Sequence, residues 1–267
     1  MPEFTRNGAQ IHYERSGSGI PLLLLAGLAS DGASWAPILA QLESGFDVIR
    51  IDNRGCGQTR DGEGPINPED WIDDAIALMN QLDIEHFCVL GHSLGGMLAM
   101  HVAARIPDRV AALVTMAAGN RTPKKADVLI RDLEALNKAG IDEALWLRIF
   151  FQFLFAPAFF ESEDNVRAAT DAALAYPFKQ SKLDFSRQLA AVSAMPEIDL
   201  SELDIPVLSI SGDRDLLIPQ DHIEETLSAL PHLATLTISD AAHSIHWDQP
   251  DAVVNAINLF LSEDENA

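Results

Sequence analysis

The sequence predicts an α/β fold, in which a mostly parallel sheet of eight strands has helices on both faces and carries an inserted helical segment. Short apolar runs alternate with helical patterns along most of the chain, which is the rhythm of parallel strands joined by crossover helices. This rhythm stops between residues 121 and 196 and then resumes. At 267 residues the chain is long enough for one such domain with an insert, and too short for two full-size domains.

The elements before the insert begin with a predicted hairpin. Glu3–Ser16 alternates around Asn7-Gly8, a turn pair that accepts positive φ at low steric cost, so an antiparallel hairpin is expected at one edge of the sheet. Asn67 and Pro68 are typical of a helix start. The other strands here are predicted at Pro21–Ala26, Asp47–Asp52, His86–Gly91 and Ala112–Ala118, with helices at about Ser34–Leu42 and at Leu94–Arg105.

The insert is helical in composition, with Ala and Leu among charged residues, and it holds six phenylalanines between Phe150 and Phe160. After it, the pattern predicts strands at Ile205–Ser211 and Ala234–Ser239 and an amphipathic helix at about Pro250–Leu261. The residues from Ser262 onward are expected to form a frayed tail. The chain is therefore divided into a core, residues 1–120 and 197–267, and a helical insert, residues 121–196.

Charge and apolar runs exclude several classes of partner. The chain has 18 Lys and Arg against 40 Asp and Glu, and a net charge of -22 repels nucleic acid and anionic lipid. The longest apolar run, Ile20–Ala29, is about half as long as a transmembrane helix. Met1–Gly19 shows no signal-peptide pattern, and the two cysteines, Cys56 and Cys88, predict neither a disulfide framework nor a metal site. A cytoplasmic location without nucleic-acid or membrane partners is expected.

One sequence motif predicts a nucleophilic serine. Gly91-His92-Ser93-Leu94-Gly95 is a G-x-S-x-G sequence between a predicted strand and a predicted helix, the context in which this motif presents a nucleophilic serine. The glycines on either side of Ser93 keep side chains away from the sharp turn. The following helix directs backbone N–H groups at the reacting carbonyl, so Leu94 N–H is a predicted oxyanion donor.

A serine nucleophile requires a base and a carboxylate that orients the base, and two later loops offer them. Gly212–Pro219 follows a predicted strand and contains Asp213 and Asp215. The segment after the last predicted strand contains His243 and His246. Both loops lie at carboxyl ends of strands, where ligand-facing loops gather. The pattern leaves both aspartates and both histidines as candidates.

The order of these motifs resembles the α/β-hydrolase family over nearly the whole chain. The segments that carry the resemblance are Leu22–Gly27 with the following loop, Asp52–Gly57, Gly91–Gly96, Gly212–Pro219 and Ala242-His243. The resemblance implies that Asp215, four residues before the loop proline, is the acid, and that His243, which follows alanine, is the base. It also implies Leu28 N–H as the second oxyanion donor. Many relatives have histidine where this chain has Ala26, so a loop-bracing hydrogen bond is expected to be absent or replaced.

The insert resembles the lid that covers the pocket in this family. Its aromatic residues make it strongly apolar, and part of this set is expected to contact substrate while the rest packs. The residues predicted to bind substrate are Trp146, Phe150, Phe151, Phe155 and Phe159. An apolar lid favours a small or medium apolar acyl group over a sugar or a nucleotide.

The resemblance implies hydrolysis of a small-molecule carboxylic ester, lactone or thioester by Ser93, His243 and Asp215, with no metal or organic cofactor. Small-molecule esterases, 3-oxoadipate enol-lactonase-like enzymes and aminoacrylate hydrolase-like proteins are the similar groups. The same triad supports carbon–carbon bond hydrolysis and cofactor-free perhydrolysis, and a ligand receptor with a retained pocket is the non-enzymatic alternative. Dehalogenase and epoxide hydrolase chemistry is disfavoured, because those relatives have Asp at the position of Ser93.

Overall fold

The computed structural model describes residues 2–263 of the chain. The strands that it contains are β1 (Glu3–Arg6), β2 (Ala9–Gly17), β3 (Ile20–Leu25), β4 (Phe46–Ile51), β5 (Phe87–His92), β6 (Val110–Met116), β7 (Val207–Gly212) and β8 (Leu233–Ile238). They form one sheet in the order β1-β2-β4-β3-β5-β6-β7-β8. β2 is antiparallel to β1 and β4, and all the other pairs are parallel. The predicted α/β class and the eight-stranded, mostly parallel sheet are confirmed.

Helices cover the sheet and connect its strands. They are α1 (Ala36–Leu42), α2 (Pro68–Gln81), α3 (Leu94–Arg105), α4 (Lys124–Lys138), α5 (Glu143–Leu154), α6 (Pro157–Phe160), α7 (Glu163–Ala175), α8 (Lys182–Ala194), α9 (Gln220–Leu227), α10 (Ile245–Asp248) and α11 (Pro250–Glu263). Within the described residues, α4 to α8 occupy the stretch between β6 and β7 where the sequence shows no strand pattern. In residues 2–263, no helix combines the length and apolar character that a bilayer crossing demands.

The central strands are apolar at nearly every position because both faces of the sheet are covered. Leu23 and Leu25 point to one face and pack with residues of α2 and α3. Leu22 and Leu24 point to the other face and pack with residues of α1 and α11. The sheet therefore lies between two helical layers, and the carboxyl ends of its parallel strands meet at one edge.

Some predicted bounds differ from the structure for local reasons. β6 runs from Val110 to Met116 and not from Ala112 to Ala118, and Ala117, which follows it, has a φ of 49° that does not fit a strand. The predicted helix at Ser34–Leu42 starts as a 3-10 turn, Gly32–Trp35, before α1. α9 and α10 were not predicted as separate helices. The predicted frayed tail is wrong for Ser262 and Glu263, which belong to α11, and its residues 264–267 lie outside the described part of the chain.

Candidate active site

Ser93 lies in a sharp turn between β5 and α3. Its φ of 53° and ψ of -119° are far from helix or strand values, and its N–H donates to the Met116 carbonyl oxygen at 2.9 Å. A methyl group on Gly91 would overlap the Gly95 carbonyl, and one on Gly95 would overlap the Leu25 carbonyl. Glycine at both positions is therefore what allows the strand and the helix to meet closely enough to expose the serine.

The structure brings Ser93, His243 and Asp215 together from three loops. His243 Nε2 is 2.9 Å from Ser93 Oγ, and His243 Nδ1 is 2.9 Å from Asp215 Oδ2. The Asp215 side chain is fully buried, and its Oδ1 accepts hydrogen bonds from the N–H groups of Leu217 and Ile218 at 2.8 and 2.9 Å. These bonds offset the cost of burying the carboxylate and fix its orientation towards His243.

Asp213, the other aspartate in that loop, has a different environment. Its carboxylate is 31% exposed and lies 3.6 Å from Arg214 Nε, while its N–H donates to the Ile238 carbonyl oxygen at 3.1 Å. The Asp215 carboxylate contacts His243 Nδ1, whereas the side-chain contact of Asp213 is with Arg214. The aspartate that faces His243 is therefore Asp215.

His246 lies in α10 behind His243. Its ring is 5.3 Å from that of Trp35 and 4.8 Å from that of His92, and its side chain is buried. Burial lowers the pKa of His246 to about 3, and the neighbouring His243 acts in the same direction. His243 Nε2, and not His246, lies against Ser93 Oγ.

The low pKa of His246 predicts a measurable acid sensitivity. An unfolded histidine titrates near about 6.5, so between about pH 6.5 and pH 3 the unfolded chain binds a proton that the folded chain does not bind. The free energy of unfolding then decreases as the pH falls through this window, by about 2 kcal/mol at pH 5 for this residue. Burial also lowers the pKa of the adjacent His92 well below its usual range, which adds in the same direction.

We expect His246→Leu to reduce the loss of unfolding free energy between pH 7.5 and pH 5 by about 2 kcal/mol relative to the unchanged protein. Urea unfolding at the two pH values measures this difference. His86→Leu is the matched control, because His86 is exposed. An unchanged pH dependence in the His246 variant would contradict the effect of burial.

The two predicted oxyanion donors lie beside Ser93. Leu28 and Leu94 line the same cavity as Ser93 and His243. Leu94 is the first residue of α3, where an N–H has no acceptor within the helix. Among the hydrogen bonds of the described residues, neither Leu28 N–H nor Leu94 N–H serves as a donor. Both groups are thus available to an oxygen atom bound near Ser93.

The loop that carries Leu28 is held by amide side chains. Asn53 Nδ2 donates to the Ala26 carbonyl oxygen at 3.4 Å, and Ala29 N–H donates to Gln188 Oε1 at 3.1 Å. Gly27 packs closely on Ser93, since a Cβ at Gly27 would lie 3.3 Å from Ser93 Cβ. The sequence predicts that a loop-bracing hydrogen bond is absent or replaced at Ala26. In the structure, Asn53 and Gln188 make hydrogen bonds that hold this loop.

Ser93 opens into a mostly apolar cavity of about 90 Å³. Of the five aromatic residues predicted to bind substrate, Phe150 lines this cavity and Trp146, Phe151, Phe155 and Phe159 do not. Trp146 packs on Phe150 and donates its Nε1–H to the Leu133 carbonyl oxygen, and the other three pack on one another. The insert residues that do line the cavity are Arg121, Thr122, Ala126, Ile130, Phe150, Leu154 and Val192.

Two residues that the sequence reasoning missed hold the loop of His243. His92 Nε2–H donates to the His243 carbonyl oxygen at 2.8 Å, and Asp248 accepts from Ala242 N–H at 2.8 Å and from Ala156 N–H at 3.0 Å. His92 occupies the variable position before the serine of G-x-S-x-G, so its place beside the nucleophile was visible in the motif. Nothing in the local sequence marks Asp248, because its partner Ala156 belongs to the insert and is distant along the chain.

Comparisons with known proteins find relatives along nearly the whole chain. Residues 20–250 match the family model of the alpha/beta hydrolase fold. A protein of Caulobacter sp. assigned as the carbamate hydrolase RutD is 30% identical, and the match covers 95% of this chain and 94% of the relative. The crystal structure of BpoC from Mycobacterium tuberculosis, assigned as a non-heme bromoperoxidase, has a TM-score of 0.84 at 25% identity and covers 95% of this chain and 96% of that one.

An enol-lactonase from Burkholderia xenovorans has the same fold, with a TM-score of 0.83 at 24% identity over 98% of this chain and all of that chain. The family match extends over far more than half of the sequence and includes every loop that contributes to the site around Ser93. The chain is therefore an enzyme of the α/β-hydrolase fold family.

Proposed function

We propose that the enzyme is a serine hydrolase that cleaves a carboxylic ester, lactone or thioester through an acyl-enzyme on Ser93. The observation that carries this proposal is the continuous contact from Ser93 through His243 to Asp215. A carboxylate only accepts hydrogen bonds, so His243 Nδ1 holds the proton that faces Asp215. His243 Nε2 then presents its lone pair to the Ser93 hydroxyl, as a general base must.

In the proposed reaction, Ser93 Oγ attacks the substrate carbonyl carbon while His243 Nε2 takes the hydroxyl proton. The negative charge develops on the carbonyl oxygen, where the N–H groups of Leu28 and Leu94 stabilise it. Collapse of the tetrahedral intermediate breaks the bond to the leaving alcohol or thiol, which receives the proton from His243. Water then attacks the acyl-enzyme with His243 as base, which releases the acid and restores Ser93.

The cavity favours a short, uncharged acyl group. An engineered cavity of about 150 Å³ binds benzene, so a cavity of about 90 Å³ suits an acyl group smaller than a phenyl ring. Arg121 is a positively charged residue that lines the cavity. Its guanidinium group is 3.1 Å from the Glu197 carboxylate and 2.7 Å from the Glu225 carboxylate. With its charge matched by two carboxylates, Arg121 is poorly placed to select an anionic acyl group.

Residues 121–196 are the proposed lid. Ile130, Phe150 and Val192 from this segment form part of the cavity wall. The Leu154 carbonyl oxygen accepts from Ser244 N–H at 2.7 Å, which joins the end of α5 to the loop of His243. The lid thus contributes both to the acyl pocket and to the position of the proposed base.

The relatives widen the set of candidate substrates. Proteins assigned as carbamate hydrolases, 29–30% identical to this chain, add carbamates to the esters, lactones and thioesters. The likeness to BpoC favours perhydrolysis as a second candidate. In that reaction hydrogen peroxide replaces water in the attack on the acyl-enzyme, so the product is a peracid and Ser93 is restored in the same way.

A substrate panel tests the proposal. We expect kcat/KM to be highest for p-nitrophenyl esters of two to four acyl carbons and to fall for longer chains, since each methylene that does not fit costs about 1–3 kcal/mol. Enol-lactones, thioesters, carbamates and peracid formation are measured beside them, with Ser93→Ala as the blank. Turnover that is equal in Ser93→Ala would contradict the proposed function.

Phe150→Ala is expected to change acyl-chain preference. Removing the ring enlarges the cavity and removes contacts with short acyl groups, so the ratio of kcat/KM for long against short esters should rise by about tenfold or more. Phe159→Ala is the matched control, because Phe159 is also half-buried in the insert but does not line the cavity. Thermal unfolding shows whether each variant is folded. An unchanged profile in a folded Phe150→Ala variant would place the specificity determinant elsewhere.

A further inference from the structure

Gln188 is a fully buried polar side chain that the proposed reaction does not use. It lies in α8 of the insert, far from Ser93 along the chain, and is 0% exposed. Its Oε1 accepts from Ala29 N–H at 3.1 Å, and its Nε2–H donates to the Arg54 carbonyl oxygen at 2.8 Å. One amide therefore joins the insert to the loop after β3 and to the loop after β4.

The loop after β3 needs such support. Ala29 has a φ of 60°, in the left-handed region that residues other than glycine seldom adopt, and such conformations persist where the surrounding structure holds them. Ala29 directly follows Leu28, so a hydrogen bond that fixes the peptide plane of Ala29 also restricts the backbone at Leu28. Leu28 N–H is the proposed oxyanion donor that does not belong to a helix.

The surroundings of Gln188 show that the insert holds this loop at two points. Tyr176, also from the insert, donates its hydroxyl to Asp31 Oδ2 at 2.7 Å. Gln180 Nε2 donates to Gln188 Oε1 at 2.8 Å and to the Gly55 carbonyl oxygen at 2.7 Å. Gln180 thus holds the side chain of Gln188. Of these two glutamines, Gln188 is the one that contacts the loop of Leu28.

We propose that Gln188 is a positioning residue for the oxyanion hole, because its Oε1 fixes Ala29 N–H and thereby the direction of Leu28 N–H. The proposal rests on the proposed hydrolase function. A donor that is displaced from the developing oxyanion stabilises the transition state less, while ground-state binding in the apolar cavity is hardly affected. Loss of the Gln188 contact therefore lowers kcat and leaves KM nearly unchanged.

The test compares Gln188→Met with Gln152→Met. Methionine has nearly the length of glutamine but neither its carbonyl oxygen nor its N–H groups. In Gln188→Met we expect kcat for a short p-nitrophenyl ester to fall by about tenfold to hundredfold. This fall is smaller than the largest losses of kcat that follow removal of a whole oxyanion donor. We expect KM to change by less than about threefold. Gln152→Met is expected to keep kcat within about threefold, since Gln152 is also a glutamine of the insert but donates to the Arg148 carbonyl oxygen within α5.

A second readout separates positioning from packing. A trifluoromethyl ketone adds to a serine nucleophile as a tetrahedral adduct with an oxyanion, whereas the matching methyl ketone binds without a stable adduct. Affinity for the trifluoromethyl ketone should fall in Gln188→Met by the same factor as kcat, and affinity for the methyl ketone should not. If Gln188→Met does not fold, Gln188→Asn replaces it, because the shorter amide cannot span Ala29 and Arg54, and the same split is expected.

A folded Gln188 variant with unchanged kcat and unchanged trifluoromethyl ketone affinity would overturn the positioning role. Equal losses for the two ketones, or a loss confined to KM, would overturn it as well, because they indicate a change of the cavity as a whole. Failure of the proposed function has a different signature: Ser93→Ala would then retain activity, and the unchanged enzyme would bind both ketones alike.

Discussion

Ser93→Ala is expected to lower kcat for a short-chain ester by about 10⁴-fold to 10⁶-fold. Alanine lacks the hydroxyl that forms the acyl-enzyme, and only oxyanion binding and substrate orientation remain to accelerate attack by water. Progress curves at saturating substrate measure this loss. Ser30→Ala is the matched control, because Ser30 also lines the cavity but has no hydrogen bond to His243 among the described contacts.

This loss must come from chemistry and not from unfolding. Ser93 has a φ of 53°, and alanine in the same turn is strained in the same way, so the two proteins should unfold at similar temperatures. A folded Ser93→Ala protein that keeps more than about a tenth of kcat would show that another group attacks the substrate.

Asp215→Asn is expected to lower kcat by about 10⁴-fold, and Asp213→Asn by less than about tenfold. The amide introduced by Asp215→Asn, unlike the carboxylate, can donate a hydrogen bond to His243 Nδ1. This favours the tautomer with the proton on Nε2, which cannot accept the proton of Ser93. Asp213 makes its side-chain contact with Arg214 at 3.6 Å and has no such influence on His243.

Steady-state kinetics of the two variants at the same pH measures the difference, and thermal unfolding controls for stability. The Asp215 carboxylate accepts two backbone N–H groups, so some loss of stability is expected in that variant. Equal losses of kcat, or a larger loss in Asp213→Asn, would move the acid of the proposed triad to Asp213.

The fold was largely predictable because its signals are local. A strand buried on both faces must be apolar throughout, so β3 is visible as an unbroken apolar run, and Asn67 and Pro68 mark the start of α2. The end of β6 was predicted two residues too late, because Ala117 and Ala118 continue the apolar run while the backbone has already left the strand.

The site was predictable only in part. The turn around Ser93 needs glycines at fixed positions, so the sequence itself carries that geometry. The aromatic residues of the insert carry no such signal. α5 has apolar residues on most of its surface. Composition therefore does not distinguish Phe150, which lines the cavity, from Phe151, which packs on Phe155 and Phe159.

Gln188 and Asp248 were not predictable for a related reason. Gln188 accepts from Ala29 N–H and Asp248 accepts from Ala156 N–H, and both of these partners are distant in sequence. An isolated amide or carboxylate in a helix has many possible roles. Such contacts arise from the way in which the insert packs on the core, and no spacing rule within one segment describes them.

Labelling with a fluorophosphonate probe tests the central claim most directly, because the probe reacts with a serine hydroxyl that an adjacent base activates. Intact-protein mass spectrometry should show one probe per chain, and peptide mapping should place it on Ser93. Ser93→Ala should remain unlabelled, and His243→Gln should react far more slowly than the unchanged protein. Stoichiometric labelling that persists in a folded Ser93→Ala protein, or maps to another residue, would contradict the account.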